Sequence, residues 1–297
     1  MRPSTPLSAL LLALTLGLAT TACGSSDSSS DTDSSAKVSG TALTKSLPKD
    51  VQDRGYLTFA TDGNYAPIAS MDTDGKTLVG LDIDLGKALS KELGVDIRVK
   101  NAAFDSIIPG LEGEKYDAGM SWINDTDERR AIVDFVDYSQ DGTSIVVPAD
   151  MKDAPTTVKD MCGHKLAIQK GTAAQAEIEA EEGACKTAGK PIDLQLYPDQ
   201  GAANVALDSG RAEITILDSP PAAELVKATK GKFVLSGEPY GKVYHGVAVI
   251  KGSPLADPIA KAFTKIMENG SYEKAFKKWG LEDAAIDAVL LNGKPLS

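Results

Sequence analysis

The sequence predicts an α/β protein of two lobes, on three observations. Short apolar stretches alternate with amphipathic helical ones. The alternation runs through twice. Behind a polar N-terminal tract roughly 250 residues remain, enough for two modest domains. Strand–helix alternation of this kind makes sheets with helices on both faces.

The first round opens with Tyr56–Thr61 (YLTFAT), a buried strand. Asp82–Leu93 places Ile83, Leu85, Ala88, Leu89 and Leu93 near one face of a helix, and Gly94 stops it. Val95–Val99 is a strand, Phe104–Leu111 a helix burying Ile107, Ile108 and Leu111, and Ala118–Trp122 a strand. A helix is expected from Thr126, its N-cap, with Asp127 and Glu128 on the positive end of the dipole. Thr143–Val147 is another strand. In the second round Lys165–Ile168, Ile192–Leu196, Ile214–Leu217 and Val243–Ile250 are strands. Thr172–Ala180, Ala202–Leu207 and Pro220–Thr229 are the helices between them, the last with proline tolerated at its start. Helices Pro258–Glu268 and Tyr272–Trp279 close the chain. Ligands sit at the carboxyl ends of strands in such sheets. The loops after Thr61, Trp122, Ile168 and Leu217 are therefore the candidate site.

Met1–Ala22 has the three-part build of a secretory signal peptide: Arg2, an apolar run from Leu7 to Leu18, then small residues. Cys23 follows, and after it the solvated tract Gly24-Ser25-Ser26-Asp27-Ser28-Ser29-Ser30-Asp31. This arrangement resembles the lipobox of bacterial lipoproteins, with Thr20 standing where that box usually has Leu. The resemblance implies a diacylglyceryl group on Cys23, and two acyl chains anchor durably. An ordinary secreted protein is the alternative.

The formal net charge of −11 argues against nucleic acid as a partner. Cys162 and Cys185 read as a disulfide in an exported protein, with two buried free thiols as the alternative. His164 and His245 are the two histidines, and no Cys/His/Asp/Glu cluster stands at ligand spacing, so a metal site is not expected. Neither histidine lies in a nucleophile context.

Several segments carry a family resemblance when taken in order. They are Ala60–Pro67 (ATDGNYAP), Gly80–Leu85 (GLDIDL), Phe104–Leu111 (FDSIIPGL), Thr126–Arg129 (TDER) with Val133-Asp134-Phe135, and Gln169–Thr172 (QKGT). Gly210–Glu213 (GRAE), Leu217-Asp218 and Lys278-Trp279-Gly280 complete the set. Together they resemble the solute-binding proteins of family 3, the polar amino-acid receptors of ABC importers, from about Tyr56 to Leu281.

The resemblance implies a periplasmic-binding-protein-like fold of type II, two α/β lobes joined by a two-stranded hinge. The expected division is a signal peptide over 1–22, lipidated Cys and tether over 23–45, lobe 1 over 46–142 plus 244–297, and lobe 2 over 143–243. The crossovers would lie near Gln140–Ser144 and Gly241–Gly246.

It also implies a ligand-binding set. A free amino acid carries an ammonium and a carboxylate, each costly to desolvate unless paired. Arg129 matches the carboxylate clamp, since a guanidinium fork donates two parallel hydrogen bonds. The alternative is an exposed helix charge, the role expected of Arg130. The turn Gly171-Thr172-Ala173 would aim backbone N–H groups at the same carboxylate, unless it is a plain strand-to-helix turn. Asp218 matches the ammonium acceptor and Asp62 a second acidic position; a capping or turn aspartate is the other reading of each. Tyr65 and Phe104 match the aromatic pair around the ligand's stem, although Phe104 taken singly reads equally as core. Ser121 and Asn124 would supply acceptors, and Trp122 either shapes the side-chain pocket or is core.

The implied function is capture of a polar amino acid outside the cell and its delivery, by hinge closure, to an ABC permease. The protein would be a monomer anchored to the outer face of the cell membrane through Cys23, without a cofactor or catalytic residues. The alternatives are a dehydratase-like enzyme on the same fold and a ligand-sensing module for a signalling partner.

Overall fold

The computed structural model describes residues 43–296; the expected signal peptide, Cys23 and most of the tether lie outside the described residues. Leu43 and Leu47 are buried in the core of the first lobe, so the core takes in part of the segment expected as tether.

In chain order the first lobe builds α1 (Lys49–Arg54) and β1 (Tyr56–Thr61), then a small sheet of β2 (Asn64–Tyr65), β3 (Ala69–Met71) and β4 (Leu78–Val79). Next come α2 (Leu81–Leu93), β5 (Asp96–Asn101), α3 (Ile107–Glu112) and β6 (Ala118–Asn124). Gly94 ends α2 in the left-handed conformation, where an L side chain would be strained.

The expected helix at Thr126 is instead a single 3₁₀ turn, Arg129–Ala131. The Thr126 hydroxyl accepts from the Arg129 N–H at 3.3 Å, as an N-cap would. The chain then enters β7 (Val133–Pro148) at once, leaving no length for a second turn.

β7 replaces the short strand expected over Thr143–Val147, and β11 (Phe233–Ile250) similarly absorbs Val243–Ile250. The two run antiparallel from Val133 opposite Ile250 to Pro148 opposite Phe233, with register shifts in the middle. Between them the chain builds the second lobe: β8 (Lys165–Gln169), α4 (Ala173–Thr187), β9 (Asp193–Tyr197), α5 (Gln200–Asp208), β10 (Thr215–Asp218) and α6 (Ser219–Ala228). It then returns to the first lobe for α7 (Ala256–Glu268), α8 (Ser271–Trp279), β12 (Ala285–Leu291) and β13 (Lys294–Pro295).

The main sheet reads β13-β12-β7-β11-β6-β1-β5, with β10 pairing β7. β5, β1 and β6 are parallel, so β1 and β6 bring Thr61 and Asn124 to the same edge. β8 is parallel to β9, and a parallel bridge joins Leu166 to Ile214 next to β10. The carboxyl ends of β8 and β10 are therefore Gln169 and Asp218, on one edge of the second lobe.

Each lobe has its own core. Phe59, Leu85, Leu89, Phe263 and Phe276 anchor one, and Ile145, Leu166, Ile168, Ile178 and Ile216 the other. Each such side chain contributes roughly 1.5–3 kcal/mol on full burial. Cys162 and Cys185 are joined as expected, tying the 3₁₀ turn Val158–Met161 to α4.

Candidate ligand cleft between the lobes

The two sets of strand ends meet face to face. From the first lobe, β1 delivers Asp62, whose backbone N–H donates to the Ser121 hydroxyl at 2.9 Å. The Asp62 carboxylate turns back on its own loop, accepting from the backbone N–H and side-chain amide of Asn64 at 3.0 and 3.1 Å. Gln169 of the second lobe donates to its other oxygen at 2.6 Å. Burial raises the pKa of Asp62 more than Asn64 and Gln169 lower it, and the charge of Asp199 adds to the rise.

Asp218 ends β10 and is the meeting point of both lobes. Tyr65 donates its hydroxyl to one carboxylate oxygen at 2.6 Å, and the Asn124 amide donates to the other at 3.1 Å. Burial acts to raise its pKa, but the hydrogen bond and electrostatic attraction of His245, with the hydrogen bonds of Tyr65 and Asn124, bring it below the ordinary value.

Arg129 reaches back over Asn124, donating to its carbonyl at 2.9 Å, and across the cleft to the Gly171 carbonyl at 2.9 Å. Burial lowers its pKa, opposed by Asp218 and Glu128, and a guanidinium stays charged regardless. The Phe104 ring lies 5.5 Å from the guanidinium carbon while packing on the apolar cluster around Ile107, so it is both a core neighbour and a floor for the cation. Thr172 caps α4, its hydroxyl accepting from the Gln175 N–H at 3.3 Å, and Ala173 opens the helix.

Gly171 fits here for a steric reason. It has φ +80°, and a Cβ on it would lie 2.8 Å from the Cβ of Asp105. Lys170 and Asp105 then close an ion pair across the lobes at 2.9 Å.

The structure thus brings Asp62, Tyr65, Phe104, Asn124, Arg129, Thr172, Ala173 and Asp218 to the seam. The space over Asp218 measures only ≈ 20 Å³. Separate hollows of ≈ 360 Å³ and ≈ 220 Å³ lie beside Arg129 and Thr172 and beside Asp62 and Asp199. The Tyr65–Asp218 bond runs from one lobe to the other, so parting the lobes breaks it.

Two expected residues lie elsewhere. Ser121 is 2% exposed and supports Asp62 from below. Trp122 is 1% exposed, with φ 50°, and its ring stacks on His245 at 4.8 Å with Tyr138 edge-on at 5.9 Å. Of the two readings of Trp122, the structure places it in the core.

Two polar residues of the hinge strands escape the sequence reading. His245, on β11, is fully buried; its Nε2 lies 3.0 Å from Asn124 Nδ2, 3.2 Å from Asp141 Oδ1 and 3.5 Å from Asp218 Oδ1. Asp141, on β7, is 8% exposed. The signal was a lone histidine heading the apolar run Gly246–Ile250, legible as a buried polar group in a strand. Arg130 is also more than a surface charge: it grips the buried Asp125 carboxylate through two nitrogens at 2.6 and 2.7 Å.

Residues 57–282 match the family model of the bacterial extracellular solute-binding proteins, family 3. The chain belongs to that family. Among the proteins it resembles, the arginine-binding protein ArgT of Corynebacterium glutamicum is 28% identical over 253 residues, covering 84% of this chain and 83% of the relative. The histidine-binding periplasmic protein of Escherichia coli is 30% identical over 249 residues, covering 81% and 91%. A crystal structure of a mutant of ArgBP from T. maritima superposes with a TM-score of 0.72 at 29% identity, covering 80% of this chain and 99% of that one. The chain thus shares the two-lobed fold of that amino-acid-binding protein.

Proposed function

We propose that the protein captures a cationic amino acid outside the cell, arginine foremost, and hands it to an ABC permease by hinge closure. The observation that carries this is the charge arrangement along one seam. Arg129 and Asp218 flank Asn124, offering a cation for an α-carboxylate and a carboxylate for an α-ammonium. Asp62 is then a third buried charge with no zwitterion group left to neutralise it, and a guanidinium side chain supplies the missing partner. The arginine- and histidine-binding relatives support the same direction.

The hinge is the pair β7 and β11, which divides the chain near the crossovers read from sequence. The export signal and the lipid anchor on Cys23 rest on the sequence of the leader. Intact-mass analysis of membrane-extracted protein should find a chain that begins at a lipid-modified Cys23. In this reading the ligand is returned chemically unaltered: Arg129, Asp62 and Asp218 act on it by holding its charges, and recovery of a dehydrated or hydrolysed product would overturn that.

Isothermal titration with arginine, lysine, histidine and glutamine tests the reading. Arginine should bind most tightly, and Asp62→Asn should weaken it at least tenfold while leaving glutamine unchanged. Tighter binding of glutamine than arginine by the wild-type protein would overturn the cationic assignment.

A further inference from the structure

The ≈ 220 Å³ hollow beside Asp62 is walled by both lobes. Asp62, Asn64, Asn101 and Ala103 come from the first, Pro198 and Asp199 from the second. Its two charged groups, Asp62 and Asp199, are both acidic and stand on opposite lobes, and no cation lines it.

Asp199 was not among the residues expected at the site. It follows the carboxyl end of β9, where Tyr197 lies opposite Gln169 of β8, so it belongs to the same strand edge as the cleft. One of its oxygens caps α5, accepting from the Ala202 N–H at 2.7 Å. The other accepts no hydrogen bond among the described residues, where Asp199 forms no ion pair either. Asp62 is met by amides alone. Asn64, twice, and Gln169 fill three of the roughly four acceptor sites of its carboxylate. Each carboxylate thus keeps acceptor capacity, and neither has a cation to neutralise it. Like charges from opposite lobes repel as the lobes close. Asp62 registers this: burial raises its pKa, and the Asp199 charge raises it further.

We propose that Asp199 is a specificity-determining residue of the cleft: the ligand's side-chain guanidinium ends in this hollow and bridges Asp199 of the second lobe to Asp62 of the first. The inference rests on the cationic ligand proposed above and assigns the second lobe's share in selecting it. A guanidinium presents its N–H donors in a planar fork, so it serves two carboxylates at once. Its charge also cancels the repulsion between the lobes. The ureido group of citrulline has nearly the same shape but no charge, and leaves that repulsion in place.

The test is calorimetric titration of L-arginine and L-citrulline into the mature protein and its Asp199→Asn variant. Asparagine caps a helix about as well as aspartate, so α5 keeps its start. The wild type should prefer arginine. The variant should bind arginine about tenfold more weakly, and citrulline as well as the wild type does or more tightly. Equal weakening of both ligands would mark a purely structural role for Asp199 and overturn the assignment, as would unchanged binding of both. If the wild type prefers arginine and the variant keeps the same ratio, the role of Asp199 alone falls. If the wild type binds the two ligands equally, the cationic reading falls and this inference with it.

Discussion

Asn124 works as a hub between opposite charges: its carbonyl holds Arg129 and its amide holds Asp218. Removing either charge leaves the ligand's opposite charge buried alone, at a cost of about 3–5 kcal/mol, or roughly two to four decades in affinity. Arg129→Ala and Asp218→Asn should each show that loss by calorimetry. Arg129→Lys should fail too, since an ammonium lacks the fork that bridges two acceptors. The neighbouring Arg130 should behave differently. Its loss frees the buried Asp125, so Arg130→Ala should lower stability by about 2 kcal/mol with less than tenfold change in affinity. Equal affinity losses for Arg129→Ala and Arg130→Ala would show that Arg129 is not the clamp. Arg129, Asp218, Asp62 and Tyr65 were legible because each stands in a recognisable local motif. Asp141 and His245 were not, because they come from strands 104 residues apart in sequence and meet only in the hinge.

At the scale of elements, the turn before α4 sets how closely the lobes approach. Gly171→Ala adds a methyl where 2.8 Å separates it from Asp105, in a backbone conformation that L residues rarely adopt. The expected result is weaker amino-acid binding, at least tenfold, with the unfolding midpoint little changed in the absence of ligand. A binding curve matching wild type would show that closure does not pass through this contact. The helices and short strands were readable because their apolar period is strong, as in Leu81–Leu93. The long strands were not. Their middles, Ser139–Gly142 and Gly237–Tyr244, are polar and irregular in register, so each reads as loop plus a short strand. β12 was missed for a related reason: two exposed residues, Asp287 and Ala288, interrupt its pattern.

The whole molecule stores several protons in its interior. Burial pushes Asp82 up to about 7 against hydrogen bonds from Tyr138 and the Trp122 N–H. Burial and the neighbouring Asp125 push Asp137 up to about 8. A carboxyl whose pKa is raised on folding binds its proton more tightly in the native state. Its stabilising contribution is full below the ordinary value of 3.8 and is lost as pH rises through about 7 for Asp82. The thermal midpoint should therefore fall between about pH 5 and about pH 8.5, and Asp82→Asn should flatten part of that slope. A midpoint that rises over this range would refute the argument.

The path of β7 and β11 also fixes an order of birth. The chain leaves the first lobe along β7, completes the whole of the second, and comes home only in β11. As the polypeptide emerges from its N-terminal end, the inserted lobe is finished while its host still lacks β11, the strand between β6 and β7. The host also still lacks α7 and α8, whose Phe263 and Phe276 fill its core. The lobe that starts first is thus the last to mature. Until the final residues arrive its apolar face stands open, so a chaperone or a protease finds its target in the older half of the molecule, not the newer.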